Sequence, residues 1–163
     1  MQSRNTKLEE ISTKLVRTNS SNPDFKSLVA FLDDYLGIVD GDQHAYYDKF
    51  NQVDSLQKVI VCYENDEAVS CGALRDMGSG VMEVKRMFTR QEFRGKGYAK
   101  QVLAELEKWA AESGAAACIL ETGRTMTDAI GFYKANWYVV IPNYGPYVGI
   151  ENSVCFEKIL KKH

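Results

Sequence analysis

The segment VKRMFTRQEFRGKGYA, residues 84–99, contains a β-rich run, a turn with two glycines and the start of a helix. Gly95 and Gly97 permit positive φ angles, so successive backbone N–H groups can point into one concavity. The helix that begins after Gly97 directs the positive end of its dipole to the same place. Arg94 and Lys96 add cations at the rim. The segment therefore predicts a binding site for a phosphate-rich ligand.

Two common phosphate-binding motifs are excluded by the spelling of this turn. A Walker loop requires Gly-Lys-Ser/Thr, and the dinucleotide fingerprint requires a third glycine where Lys100 stands. The spacing that does fit is Arg-x-x-Gly-x-Ala, filled by Arg94, Gly97 and Ala99. Taken alone, a turn of this kind is also typical of an ordinary surface loop.

Composition places the chain among globular proteins of ordinary size. Its 163 residues are 45% hydrophobic and 26% charged, which fits one domain with a buried core. The net charge of −2 argues against a nucleic-acid-binding surface. No apolar run is long enough for a membrane span, and the N-terminus lacks the apolar core of a secretory signal. We therefore expect a cytoplasmic protein without nucleic-acid or membrane partners.

Cysteine and histidine usage argues against metal and disulfide chemistry. The only histidines are His44 and His163, so no zinc site is expected. The cysteines lie far apart in apolar, strand-like contexts, which predicts buried thiols. They are Cys62, Cys71, Cys118 and Cys155.

Apolar periodicity in the first half of the chain predicts one helix, a short second helix and four strands. A loose alternation over 8–17 suggests the first strand, and Asn22-Pro23 starts a helix that Gly37 is placed to end. A short helix is expected within 40–51. The remaining predicted strands are 58–63, 68–74 and 81–89, the first two forming a hairpin.

The second half alternates helices and strands. A long helix is expected from Gly97 to Gly114, then a buried strand at 116–120. A helix at 127–135 follows, with Asn136 as a left-handed cap, and then strands at 138–141 and 153–160. The expected fold is a single α/β (α+β) domain over residues 1–163, with a mixed central sheet of about seven strands flanked by about four helices.

A second motif, AIGFYKANW at residues 129–137, follows the buried strand. Together with the Arg-x-x-Gly-x-Ala turn, it resembles the signatures of the GNAT superfamily of acetyl-CoA-dependent N-acetyltransferases. The predicted order of strands and helices is similar to the whole GNAT fold, so the resemblance covers nearly the full chain. Three residues depart from the family pattern: Gln91 replaces a usual Pro, Met126 a frequent Asn, and Asn136 a usual Gly.

The resemblance implies acetyl-CoA as co-substrate and no metal. It implies that the pantetheine arm pairs with strand residues 87–89, and that a backbone N–H near Met87 or Phe88 stabilises the oxyanion. Tyr133 occupies the family's position for the general acid that protonates the leaving thiolate, although a tyrosine packed in the core is the alternative. The expected cofactor-binding residues are Met87, Phe88, Thr89, Arg94, Gly95, Lys96, Gly97, Tyr98 and Ala99.

Acetylation of an amine requires the amine to lose a proton, since an aliphatic ammonium has a pKa near ~10.4. Glu83 is the candidate base. Strand alternation places it on one face with Lys85 and Met87, toward the acceptor side of the thioester. An ion-paired surface glutamate is the alternative interpretation.

The sequence identifies the acceptor molecule less clearly than the cofactor. His44 and Tyr47 share a predicted helical face, and Tyr144 and Tyr147 lie in the last loop, so these four are candidate acceptor contacts. Acidic and aromatic residues there would suit a cationic amine. Two arginines would instead suit a carboxylate, namely Arg75 and Arg86.

We expect transfer of an acetyl group to a primary amine of a small molecule or amino-acid-like acceptor by direct attack in a ternary complex. Acetylation of a protein lysine or N-terminus is one alternative. A non-catalytic acyl-CoA-binding sensor domain is another. The sequence leaves room for a homodimer.

Overall fold

The computed structural model describes residues 10–40 and 55–161. Within them lies one seven-stranded mixed sheet with three α-helices. The strands are β1 (Thr13–Thr18), β2 (Lys58–Glu64), β3 (Glu67–Asp76), β4 (Val81–Thr89), β5 (Ala117–Gly123), β6 (Val139–Ile141) and β7 (Ser153–Ile159). The helices are α1 (Pro23–Asp40), α2 (Tyr98–Glu112) and α3 (Thr127–Ala135). The predicted fold class is confirmed, while the predicted short helix falls on residues outside the described ranges.

The strand order is β1-β2-β3-β4-β5-β7-β6. Strands β1 to β4 form an antiparallel meander, as the predicted hairpin required. β5 runs parallel to β4, and β7 inserts between β5 and β6 in antiparallel orientation. Among the described residues, pairing of β4 with β5 ends at Glu83 and Ile119, although both strands continue. The sheet therefore opens into a cleft between these two strands.

Alternating side chains of the strands bury two faces of the sheet. On one face, α2 packs Val102, Leu103 and Leu106 against strand residues that include Ile60 and Val84. On the other face, α1 packs against a second cluster of Phe25, Leu28, Val29, Val59, Val61 and Cys71. The four cysteines are buried and unpaired by disulfides, as predicted. None of the helices in the described ranges is long and apolar enough to cross a bilayer.

Two predicted helix ends are wrong. α1 continues through Gly37 to Asp40, because glycine also accepts helical dihedrals at a cost of about 1 kcal/mol. Asn136 caps α3 with φ −102°, and the left-handed residue is Trp137, with φ 72°. The N–H of Tyr138 donates to the carbonyl of Tyr133 at 3.0 Å, which is the hydrogen bond of a Schellman motif and places its left-handed position at Trp137.

Candidate functional site

A β-bulge in β4 sets the geometry of the cleft. Cys71 pairs with Phe88 and Ala73 pairs with Lys85, so Gly72 alone faces the two residues 86 and 87. Arg86 takes the bulged position with φ 57°. The extra residue changes which face of the sheet the following side chains occupy.

The bulge contradicts the prediction that Met87 shares a face with Glu83 and Lys85. Met87 packs against the cluster beneath α2, where a Cβ on Gly72 would lie 2.5 Å from its sulfur. Lys85 lies on the α1 side, with its Nζ 3.5 Å from the Tyr147 hydroxyl. Simple alternation fails here because it assumes a strand without an inserted residue.

A cleft of about 280 Å³ runs between the end of β4, the turn before α2, and α3. Eight of the nine predicted cofactor residues line it: Met87, Phe88, Thr89, Arg94, Gly95, Gly97, Tyr98 and Ala99. Lys96 does not line it, because its Nζ lies 3.2 Å from Oε1 of Glu64. The structure therefore brings most of the predicted set together around one space, which we call the cofactor cleft.

The turn before α2 has the backbone expected of a phosphate-binding concavity. Gly95 and Gly97 have φ angles of 81° and 85°, and a Cβ at either position would meet nothing within 4 Å. Gly97 is the N-cap residue, so the unpaired N–H groups of the first turn of α2 follow it directly. The Arg94 Nε–H donates to the Thr89 carbonyl at 2.9 Å, which fixes this cation beside the end of β4.

A second cavity, of about 140 Å³, lies between α1 and the separated ends of β4 and β5. We call it the acceptor cavity, because Glu83 and Tyr147, which the sequence predicts on the acceptor side, both line it. Its polar lining consists of Glu83, Lys85, Arg86, Glu121, Thr122 and Tyr147. Five residues line both cavities: Leu32, Met87, Met126, Ala129 and Tyr133. The two spaces therefore meet at Tyr133.

Tyr133 projects from α3 and is 8% exposed. Its ring contacts those of Phe132, Tyr138 and Phe156, so it belongs to the core as well as to both cavities. Burial raises the pKa of the Tyr133 hydroxyl well above its ordinary value. The hydroxyl therefore stays protonated at neutral pH and is available as a donor.

Glu83 is 3% exposed, which excludes the surface ion pair considered from the sequence. Its Oε2 accepts a hydrogen bond from the Tyr144 hydroxyl at 2.5 Å, and its Oε1 lies 3.7 Å from Lys85 Nζ. Burial, reinforced by the charge of Glu83, raises the pKa of Tyr144, so this hydroxyl remains a donor. Glu83 is thus a buried carboxylate held in place beside the acceptor cavity.

The acceptor candidates are only partly placed. Tyr147, 2% exposed, lines the acceptor cavity, and Tyr144 reaches it through Glu83. His44 and Tyr47 lie outside the described residues. Of the two arginines considered for a carboxylate, Arg86 lines the acceptor cavity, whereas Arg75 lies in a separate depression with Ser55 and Met82.

Three functional candidates were missed in the sequence. Lys85 is a buried cation in the cavity wall, and Asp33 of α1 pairs with Arg86, Oδ1 to Nη1, at 2.6 Å. Glu121 lies where β5 has left β4, and it accepts a hydrogen bond from Ser153 at 2.7 Å. Its position directly after the buried run of β5 is the one signal that sequence reasoning could have used. The described residues contain no cluster of metal-ligating side chains.

Comparison with known proteins identifies related sequences. Residues 25–137 match the model of the acetyltransferase (GNAT) family. The IAA acetyltransferase of Azospirillum brasilense is 32% identical over 104 residues, which are 63% of this chain and 68% of that protein.

Solved structures with the same fold extend the comparison. A Klebsiella pneumoniae protein described as an acyl-CoA N-acyltransferase is 28% identical, with a TM-score of 0.74 and coverage of 91% of this chain and 98% of that chain. The PaiA N-acetyltransferase of Thermoplasma acidophilum, solved with coenzyme A, is 16% identical with a TM-score of 0.66. The two chains are covered to 91% and 99%, and at that identity the likeness concerns the fold.

Proposed function

The chain belongs to the GNAT family of acetyltransferases, and we propose that it transfers an acetyl group from acetyl-CoA to the primary amine of a small molecule or amino-acid-like acceptor. The observation that carries the proposal is the meeting of the cofactor cleft and the acceptor cavity at Tyr133. Two substrates bound in these spaces would bring a thioester and an amine together. This arrangement supports direct attack in a ternary complex.

The cofactor cleft has the chemical groups that acetyl-CoA requires. The diphosphate would lie on the N–H groups from Gly95 to Ala99, with Arg94 as a nearby cation. Beyond Glu83, the β4 edge does not pair with β5 among the described residues, so residues 87–89 can pair with the pantetheine amides as an added strand would. When bound, acetyl-CoA supplies the activated acetyl group.

Groups of the protein would then stabilise the oxyanion and transfer the protons. We assign the Met87 N–H to the acetyl carbonyl oxygen, because Met87 directly follows the bulged residue and lines both cavities. Glu83 would accept the proton of the amine, directly or through water. Tyr133 would donate its proton to the departing thiolate.

The size of the acceptor cavity favours a small acceptor. An apolar cavity of about 150 Å³ holds a molecule such as benzene, and the acceptor cavity measures about 140 Å³. A protein lysine or N-terminus would require an open groove for the flanking chain. The buried Tyr133 at the junction and the buried Glu83 in the acceptor cavity disfavour a sensor that binds acyl-CoA without turnover.

We expect acetyl-CoA to raise the melting temperature of the protein and a panel of small primary amines to release free CoA thiol. Binding to the native state alone stabilises it by mass action. Thermal unfolding and a thiol-reactive dye measure the two effects. Stabilisation by acetyl-CoA with no thiol release from any amine would favour the sensor function instead.

We expect Glu83→Gln to lower kcat/KM for the amine by roughly 10²-fold, the range of general base catalysis. The amide keeps the size of the side chain but cannot take a proton. The affinity for acetyl-CoA, measured by calorimetry, should change little because Glu83 lines only the acceptor cavity.

A matched control for this substitution is Glu107→Gln. Like Glu83, Glu107 contacts a tyrosine and a lysine: it accepts hydrogen bonds from Tyr138 at 2.8 Å and from Lys158 at 2.8 Å, but it lines neither cavity. We expect this variant to lose stability without losing activity. Equal activity in both variants would show that Glu83 is structural.

A further inference from the structure

The acceptor cavity contains two cations that the proposed acetyl transfer does not use. Lys85 and Arg86 are each 7% exposed, and both line this cavity beside Glu83. Buried cations are rare in proteins unless anions compensate them. Glu83 pairs with Lys85 and Asp33 with Arg86, so the open question for a ligand is the part of the Arg86 guanidinium that these anions do not reach.

Arg86 is only partly compensated by the protein. One guanidinium nitrogen, Nη1, donates to Asp33 Oδ1 at 2.6 Å. Its Nε–H is buried and has no hydrogen-bond partner among the residues that the structure describes. A buried donor without an acceptor is costly, and guanidinium geometry matches a carboxylate through two parallel N–H groups. The positive φ of Arg86 at the bulge directs this side chain to the α1 side, where the cavity lies.

Lys85 points to the same ligand chemistry. Its Nζ lies 3.7 Å from Glu83 Oε1 and 3.5 Å from the Tyr147 hydroxyl. Burial lowers the pKa of Lys85, while Glu83 opposes this change. A second anion in the cavity would stabilise the charged form of Lys85 further.

An amine without an anionic group fits this cavity less well. Its ammonium would approach Glu83 and Glu121, but it would also lie beside two buried cations and leave Arg86 Nε without an acceptor. A molecule with both charges uses the acids for its amine and the cations for its anion. A carboxylate fits better than a larger anion, because the cavity is small. Asp33 already binds Nη1 of the guanidinium, which leaves only part of this group for a ligand.

We propose that the acceptor carries a carboxylate close to its amine, and that Arg86 and Lys85 bind this carboxylate while Glu83 faces the amine. This inference rests on the proposed acetyl transfer. It makes Arg86 the residue that determines specificity.

The test compares amino acids with partners that lack the charge. L-alanine, L-methionine and L-phenylalanine are each assayed beside their carboxamide and their decarboxylated amine. We expect kcat/KM to be roughly 10- to 100-fold higher for the carboxylates, the range of hydrogen bonds to charged groups. The comparison with the carboxamide underestimates the preference, because the amine of a carboxamide is less basic than that of the amino acid. A larger fraction of it is therefore already neutral and able to attack.

Variants assign this preference to the cavity. Arg86→Gln should lower kcat/KM for the amino acids more than for their amides, so that the ratio between the two classes falls to about one. Arg86→Lys should restore part of the preference, because it keeps the charge but not the paired N–H groups. Lys85→Met should weaken the preference as well. Arg17→Gln is the control, because Arg17 pairs with Glu105 and Glu112 and lines neither cavity.

The outcomes separate this inference from the acetyl transfer itself. Thiol release that is equal for amino acids and amides would overturn the inference and leave acetyl transfer standing. The same holds if Arg86→Gln reduces both classes equally. If no amine releases thiol, the proposal of acetyl transfer is wrong. Calorimetry with CoA-loaded protein then tests separately whether the cavity binds a carboxylate. N-acetylmethionine must then bind more tightly than its amide, and equal or absent binding overturns the inference.

Discussion

Replacing Gly97 with valine is expected to weaken the binding of acetyl-CoA by roughly 10²-fold or more. Gly97 has φ 85°, which a β-branched residue adopts only at a cost of about 1–3 kcal/mol. Its missing Cβ faces open space, with nothing within 4 Å, and that space is where the diphosphate would lie. Loss of two charge-assisted hydrogen bonds would weaken binding on the order of 10²-fold or more. Calorimetry with CoA measures the effect.

Gly78→Val provides a matched control for backbone strain. Gly78 has φ 78°, also meets nothing within 4 Å, and lies in the turn between β3 and β4 away from both cavities. We expect a similar loss of melting temperature with unchanged affinity for CoA. If Gly97→Val binds CoA as tightly as the unmodified protein, the diphosphate does not lie at this turn.

Tyr133→Phe is expected to lower kcat by ~10²-fold while the KM for acetyl-CoA changes little, because it removes a general acid. The substitution deletes only the hydroxyl. The ring contacts with Phe132, Tyr138 and Phe156 remain, so the core keeps its packing. Steady-state rates must be measured where chemistry limits turnover, which the absence of a viscosity effect establishes.

Tyr138→Phe is the control for this variant. Tyr138 contacts the Tyr133 ring in the same cluster, and its hydroxyl donates to Glu107 at 2.8 Å. It lines neither cavity, so its loss should lower stability without lowering kcat. Full activity of Tyr133→Phe would return Tyr133 to a purely structural role.

The elements of the fold were predictable because their signals are local. Runs of β-favouring residues flanking turn signals predicted β2 and β3, and the helix predicted at 127–135 matches α3. The bulge was not predicted, because arginine has no particular preference for the left-handed backbone that Arg86 adopts. Its cause lies on the neighbouring strand, where Gly72 lacks the Cβ that would collide with Met87. A glycine inside a strand was the available signal.

Helix ends show the limits of residue preference. Asparagine favours left-handed backbone more than tryptophan does, which made Asn136 the natural choice. The hydrogen bond between the Tyr138 N–H and the Tyr133 carbonyl places the left-handed residue one position later. The local hydrogen bond between residues five apart, rather than residue preference, decides the conformation here.

The two sides of the candidate site differed in how far they could be predicted. The predicted cofactor-binding residues all lie in one continuous segment, 87–99, so they could be named together. The acceptor cavity combines α1, β4, β5 and the turn Gly145–Tyr147. The contact between Glu83 and Tyr144 joins residues 61 apart in sequence. No local sequence pattern predicts a contact between residues so far apart.

The most direct measurement of acetyl transfer in a ternary complex combines the intact mass of the protein with initial rates. The protein is incubated with excess acetyl-CoA before an amine is added, and the acetylated amine is then followed by mass spectrometry. We predict an unmodified protein mass, and product formation that requires both substrates with intersecting double-reciprocal lines. A protein heavier by one acetyl group that it passes to the amine, with parallel lines, would contradict direct transfer.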